Sequence, residues 1–259
     1  MPTWDAEVYA RFADERGRPF HDLLARVDAS APSQVVDLGS GPGALTASLA
    51  TRWPAARVTG IDTSETMTAA AQAHAGPRVT FVLGDLARWR PVEPVDVVVS
   101  NAALQWVPDH RALLPGLVDA LVPGGWLAFQ VPGNHDAPGH RALREVAAEP
   151  PFAEHTGVVD RPRVGEPTDY LADLAGLGCV VDAWETTYLH VLQGPDPVLR
   201  WLRGTGARPY LDALPETLRP AFTEALGARL AAAYPSRPWG TVLPFRRIFV
   251  VARTPVDGS

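Results

Sequence analysis

The sequence predicts an α/β fold with a parallel sheet covered by helices on both faces, and three observations carry that prediction. From residue 35 to 131, short apolar runs alternate with helix-patterned segments, the order expected of repeated strand–helix–strand units. The runs are largely apolar rather than apolar only at every second residue, as strands buried on both faces are. Glycine or aspartate follows the first three runs directly, at the strand ends where open α/β sheets bind ligands.

In chain order, Val8, Phe12, Phe20, Leu23, Leu24 and Val27 suggest two helical pieces broken near Gly17 and Pro19. Strands are expected at Val35–Leu38, Val58–Ile61, Val79–Leu83, Val95–Ser100 and Trp126–Val131. Helices fall between them at Ala44–Arg52, Ser64–His74 and Arg111–Leu121. Residues 132–167 are rich in Pro, Gly and His around one helix-like stretch, His140–Ala148, and read as a mobile connection or lid. Thr168 is placed to cap a short helix ending at Gly176–Gly178. Two more strands, Val180–Leu192 and Leu243–Ala252, enclose a Pro-punctuated helical insert at about residues 195–240. The expected organisation is one domain over 1–259, made of an N-terminal helical cap (1–30), a core (31–131) and a second half (132–259) that holds the insert.

Composition narrows the partners. Charged residues make up 20% and hydrophobic residues 46% of the chain, ordinary for a globular protein. A net charge of −6 argues against a nucleic-acid partner, whose phosphates require a basic surface. The 23 basic residues counted as Lys or Arg are all arginine, the side chain whose planar fork matches a carboxylate. Cys179 is the only cysteine, so no disulfide framework or thiolate metal site is expected, and its neighbours Val180 and Val181 suggest a buried thiol. His135 and His140 lack zinc spacing with a third ligand nearby, and no metal is expected. No basic stretch followed by an apolar run opens the chain and no apolar run is long enough for a bilayer, so the protein reads as cytoplasmic without a membrane partner. Nothing in the sequence speaks to oligomeric state.

The chemistry gathers after the strands. Asp37-Leu38-Gly39-Ser40-Gly41-Pro42-Gly43 follows the first, and its glycines allow a tight turn and close approach to a ligand. Asp62-Thr63 follows the second, about 25 residues beyond Asp37, where a carboxylate takes ribose hydroxyls in such sheets. Gly84-Asp85-Leu86 follows the third and offers an acceptor to an exocyclic amine such as that of adenine. The glycine pattern also fits a dinucleotide site, with Ala44 as its third small residue. Charge separates the two. Asp37 would repel a pyrophosphate and Pro42 removes one N–H, whereas the ammonium and sulfonium of S-adenosylmethionine suit an anionic pocket.

The segment Val35–Gly43 closely resembles motif I of the class I S-adenosylmethionine-dependent methyltransferases, and the match continues to about residue 131. The resemblance implies a Rossmann-like, seven-stranded, mostly parallel sheet with its last strand antiparallel. It also implies that Asp37, Gly39, Ser40 and Gly41 hold the methionine end, that Asp62 and Thr63 meet the ribose, and that Gly84, Asp85 and Leu86 meet the adenine. Asn101, after the fourth strand, would join the cofactor-binding residues in the segment that faces the methyl group. A narrower resemblance covers nearly the whole chain. Tyr9–Pro19, Asn101–Trp106, Trp184–His190, Gly204–Leu211 and Pro244–Phe249 are similar to bacterial trans-aconitate methyltransferases, with Ser40 where that family commonly has cysteine. That family makes a monomethyl ester of a tricarboxylate and releases S-adenosylhomocysteine.

A polyanionic acceptor needs fixed cations and donors. Candidates are Arg18, Arg208, Arg246 and Arg247, with Gln105, Trp106, Tyr188 and His190 adding contacts. One of the adjacent arginines should face outward, because strand side chains alternate. A carboxylic acid is already ionised near neutral pH, so no general base is assigned. The rival readings are an O- or C-methyltransferase of phenolic metabolites, which would need a base and an apolar pocket, a non-catalytic S-adenosylmethionine binder, and an NAD-dependent oxidoreductase, which Asp37 disfavours. A nucleic-acid methyltransferase is the remotest of them, for the chain lacks an Asn-Pro-Pro-aromatic run and a basic surface.

Overall fold

A computed structural model of the chain describes residues 13–159 and 163–256, so the start of the first expected helical piece, with Val8 and Phe12, lies outside the described residues. The described chain separates into two compact units. The larger holds the residues up to Pro132, Val164–Thr186 and those from Arg247 onward, and the other holds Gly133–Arg163 and Thr187–Arg246.

One seven-stranded sheet has the order β3-β2-β1-β4-β5-β7-β6. Its strands are β1 (Gln34–Leu38), β2 (Arg57–Asp62), β3 (Val79–Leu83), β4 (Val95–Asn101), β5 (Leu121–Pro132), β6 (Val180–Leu192) and β7 (Thr241–Arg253). The pairs β1–β2, β1–β4, β2–β3 and β4–β5 are parallel, and β5–β7 is antiparallel. The strands form where apolar runs find cover on both faces. Leu38, Val97, Val98, Val99, Leu127 and Phe129 are wholly buried. Helices α1 (Ala13–Leu24), α2 (Ala44–Arg52), α3 (Glu65–Ala71), α4 (Leu114–Asp119) and α7 (Pro167–Gly176) belong to this unit. Tyr170 of α7 meets Phe129 edge to face, at 5.2 Å between ring centres. Cys179 is buried, and burial pushes its thiol up, as its apolar neighbours suggest.

Several expected boundaries are corrected. The break near Gly17 and Pro19 does not occur, and α1 runs unbroken through both. The buried positions Gly17, Phe20, Leu23 and Leu24 recur at helical spacing, and their burial outweighs the hydrogen bond that Pro19 forfeits. The helix expected at Arg111–Leu121 is a 3₁₀ turn (His110–Leu113) followed by α4, which ends at Asp119. Strand β5 then begins five residues earlier than Trp126, because a bulge opposite Val95–Val97 lets Pro123-Gly124-Gly125 enter the sheet. Thr168 does not cap its helix. Glu166 and Asp169 form a reciprocal capping box around Pro167.

The second unit holds the other helices, together with the parts of β6 and β7 that fall within Thr187–Arg246. Within residues 132–167 the helix expected at His140–Ala148 is present as α5 (Pro138–Ala147), starting two residues earlier, and is followed by a short α6 (Ala153–Thr156). Leu143 and Val146 of α5 are buried, and α5 packs on α10 (Arg219–Ala233). Tyr234, just beyond α10, accepts the Gly139 amide at 2.8 Å, so proline and glycine here start a packed helix. Phe152 and Phe222 meet edge to face at 5.2 Å. With α8 (Pro197–Arg203) and α9 (Arg208–Ala213), α10 forms the insert. No described helix is long and apolar enough to cross a membrane.

Candidate active site

The strand order reverses between β1 and β4, so the loops after these strands flank the crevice in which such sheets hold ligands. The loop after β1 turns on Gly39 and Gly41, at φ of 87° and 54°. Gly39 and Ser40 donate their amides to the Ile61 carbonyl, at 2.7 and 3.0 Å, which ties the loop to the end of β2. Asp62 holds it from the other side. Its carboxylate accepts the Gly41 amide at 2.9 Å and the Ser64 amide at 2.8 Å, and Ser64 caps α3. A side chain built at Gly41 would meet nothing within 4 Å, so this part of the loop is open to a ligand. Thr63 is half-buried beside Asp62.

Asp37 is buried beneath the loop, 3% exposed. Thr46 of α2 donates to one carboxylate oxygen at 2.6 Å, and the other oxygen is buried without a partner. Burial raises its pKa to about 7. The Thr46 bond works against that rise and the nearby Asp62 charge adds to it. A buried, half-satisfied carboxylate is complementary to a cation and hostile to a pyrophosphate, so these residues fit S-adenosylmethionine. After β3, Asp85 is exposed, accepts the Ala87 amide at 2.9 Å and pairs loosely with Arg88 at 3.8 Å. Leu86 turns into the core.

The loop after β4 approaches so closely that a β-carbon at Gly39 would lie 2.1 Å from the Ala103 β-carbon. Gly39→Ala is expected to cost about 2–4 kcal/mol, from the left-handed backbone and the clash together. A lowered urea midpoint at unchanged slope would show it. Ala102 itself is left-handed, at φ 55°, and Gln105 donates to its carbonyl at 2.6 Å while the Gln105 side-chain oxygen is buried without a partner. Trp106 lies half-buried in the same turn. Ser100 Oγ donates to the Leu38 carbonyl at 2.8 Å, linking the ends of β4 and β1.

Of the adjacent arginines, Arg247 is the buried one, 4% exposed, and Arg246 is partly exposed. Arg247 lies opposite Pro132 at the end of β5. It donates from Nη1 to Gln130 Oε1 at 3.1 Å, and Gln130 Nε2 donates to Asn101 Oδ1 at 2.7 Å. The larger unit therefore brings together Asp37, Gly39, Ser40, Gly41, Asp62, Thr63, Asn101, Gln105, Trp106 and Arg247 at neighbouring strand ends.

Of the remaining candidates for the acceptor, one is on α1 and the others belong to the second unit. Arg18 is on the exposed face of α1, its side chain 73% exposed and 3.7 Å from Asp22, so it does not join the strand-end group. The helical unit holds Tyr188 and His190, stacked at 6.4 Å, with His190 stacked in turn on Trp201 at 5.0 Å. Arg208 lines a groove of about 860 Å³ between α8, α9 and α10, 3.9 Å from Asp212 and together with Arg203 and Arg219. The Arg246 backbone is clamped by Asn134, whose side chain both accepts its amide and donates to its carbonyl, each at 2.9 Å.

Residues 35–125 match the family model described as a methyltransferase domain. The trans-aconitate 2-methyltransferase of Streptomyces coelicolor is 51% identical, across 100% of this chain and 88% of its own. That of Methylobacterium nodulans is 48% identical, across 98% of this chain and 99% of its own. The chain belongs to the trans-aconitate 2-methyltransferase family. Solved structures agree on the fold of this family member. A Bacillus halodurans protein described as a putative methyltransferase has a TM-score of 0.60 at 15% identity, covering 92% of this chain and 100% of its own. A Thiobacillus denitrificans S-adenosylmethionine-dependent methyltransferase in complex with S-adenosyl-L-homocysteine has a TM-score of 0.53 at 23% identity, covering 90% of each.

Two residues of this trans-aconitate 2-methyltransferase family member escaped the sequence reading. Thr46 satisfies half of Asp37, and its only signal is a hydroxyl on the first turn of the helix after the glycine loop. Gln130 is wholly buried, and its signal was available, a lone polar residue inside the apolar run Trp126–Val131.

Proposed function

We propose that the chain methylates a carboxylate of trans-aconitate with S-adenosylmethionine, giving a monomethyl ester and S-adenosylhomocysteine. The observation that carries the reading is Arg247, a guanidinium almost wholly buried at the strand ends that flank the glycine loop. A cation held there suits a carboxylate acceptor and not a phenol or an alkyl carbon.

S-adenosylmethionine, when bound, supplies an electrophilic methyl group on a sulfonium. Asp37 and the Gly39–Gly41 backbone would hold its methionine end, Asp62 and Thr63 its ribose, and Asp85 with the Leu86 backbone its adenine. Asp62 keeps acceptor capacity for hydroxyls, since two backbone amides occupy only part of its carboxylate. Arg247 would orient the acceptor carboxylate, with Gln105 and Trp106 bounding its loop side. The acceptor is ionised at neutral pH, so the residues need only align it and keep water away. The core 31–131 then serves the cofactor and 132–259 most of the acceptor's recognition, with Tyr188, His190, Arg208 and Arg246 as its remaining candidates.

The test is mass spectrometry of reactions offered trans-aconitate, cis-aconitate, citrate, isocitrate, a phenol and a fatty acid. An alkali-labile monomethyl product from trans-aconitate, with S-adenosylhomocysteine released, is expected. Turnover of the phenol alone would overturn the acceptor reading and leave the cofactor reading standing.

A further inference from the structure

We infer that Gln130 is a positioning residue that fixes the polarity of Asn101, so that Asn101 offers an N–H donor, and not an oxygen, to the acceptor carboxylate. This rests on the proposed carboxylate methylation.

The polarity follows from one end of a three-residue string. Arginine carries donors only, so the Gln130 atom that meets Arg247 at 3.1 Å has to be its oxygen. The Gln130 amide nitrogen is thereby turned toward Asn101, which is its direct partner in the β4–β5 register. That nitrogen donates at 2.7 Å and so takes an oxygen, Asn101 Oδ1. What Asn101 has left to offer at the end of β4 is its own NH₂. Gln130 is wholly buried and Asn101 is only partly buried, so water cannot reorient the string at its centre while its outer end can meet a ligand. A chain of hydrogen bonds that begins on a cation also polarises each donor along it, which strengthens the last one toward an anion. Without Gln130 the Asn101 amide could present either face.

Three variants test the inference, each read by KM for trans-aconitate, affinity for S-adenosylhomocysteine and melting temperature. Gln130→Glu keeps the size and the partnership with Arg247 but can only accept toward Asn101, so the Asn101 amide turns over and presents oxygen. KM is expected to rise about tenfold or more, with S-adenosylhomocysteine affinity within about twofold. Asn101→Asp presents an oxygen directly and is expected to match it. Gln130→Leu releases the amide without inverting it, so its KM should rise less than in Gln130→Glu even where its melting temperature falls further. A merely structural role predicts the opposite order, because leucine loses both bonds of a buried amide and glutamate keeps one. Gln130→Leu impairing KM more than Gln130→Glu, or both variants leaving KM within about twofold, overturns the inference while the parent's activity on trans-aconitate stands. A parent that methylates no polycarboxylate overturns the proposed function itself, and the inference with it.

Discussion

Exchanging Arg247 for lysine should lower kcat/KM for trans-aconitate by about 30- to 100-fold and leave S-adenosylhomocysteine affinity within about twofold. Lysine keeps the charge and much of the stem, so the buried site is not emptied, but an ammonium cannot bond Gln130 and a carboxylate with the same fixed fork. The expected loss is that of a charge-assisted contact, about 2–3 kcal/mol. Steady-state kinetics with a parallel calorimetric titration separates the alternatives. Equal losses of turnover and cofactor affinity would make Arg247 a support for the strand ends rather than an acceptor ligand.

The second large effect is a pH dependence centred on Asp37. Its carboxyl titrates near 7 in the folded chain against an ordinary 3.8. Across that window the folded chain holds a proton that the unfolded chain has released, so this group's contribution to stability falls as pH rises and levels off above about 7. A cationic ligand acts in the opposite sense, because it selects the ionised carboxylate. S-adenosylmethionine affinity should therefore rise with pH, by about tenfold per unit up to about 7, and then flatten. Titration near pH 6 in buffers of different ionisation enthalpy should show close to one proton released on binding. Asp37→Asn should bind weakly at every pH and release none. A wild-type affinity that is flat from pH 5 to 7 would mean that the cofactor's charge does not engage Asp37.

Much of this was legible before the fold was known. The parallel strands announced themselves because burial on both faces favours largely apolar runs, and Asp37, Asp62 and Asp85 stand at or just past the ends of those runs. What escaped the reading depended on partners distant in sequence. Strand alternation required that one of Arg246 and Arg247 face inward, but only the pairing of Arg247 with Pro132 on β5 decides which. Pro138 and Gly139 looked like loop residues because nothing local reveals Tyr234, which makes Gly139 a helix contact. Pro19 looked like a break because its cost is local while the gain from burying Phe20 and Leu23 is tertiary. Arg18 was chosen for its neighbours in sequence, and its helix turns it outward.

The near-contact of Gly39 with Ala103 bears on how acceptor preference can change over time. The turn proposed to hold the cofactor and the turn proposed to meet the acceptor are pressed together at Gly39 and Ala103, so neither backbone can shift to admit a bulkier or differently shaped acid without displacing the other. Drift toward new acceptors along this lineage would then run through exchanges of side chains around a fixed pair of turns. Insertions or deletions between residues 39 and 43 or between 101 and 106 should be rare among proteins that keep the reaction.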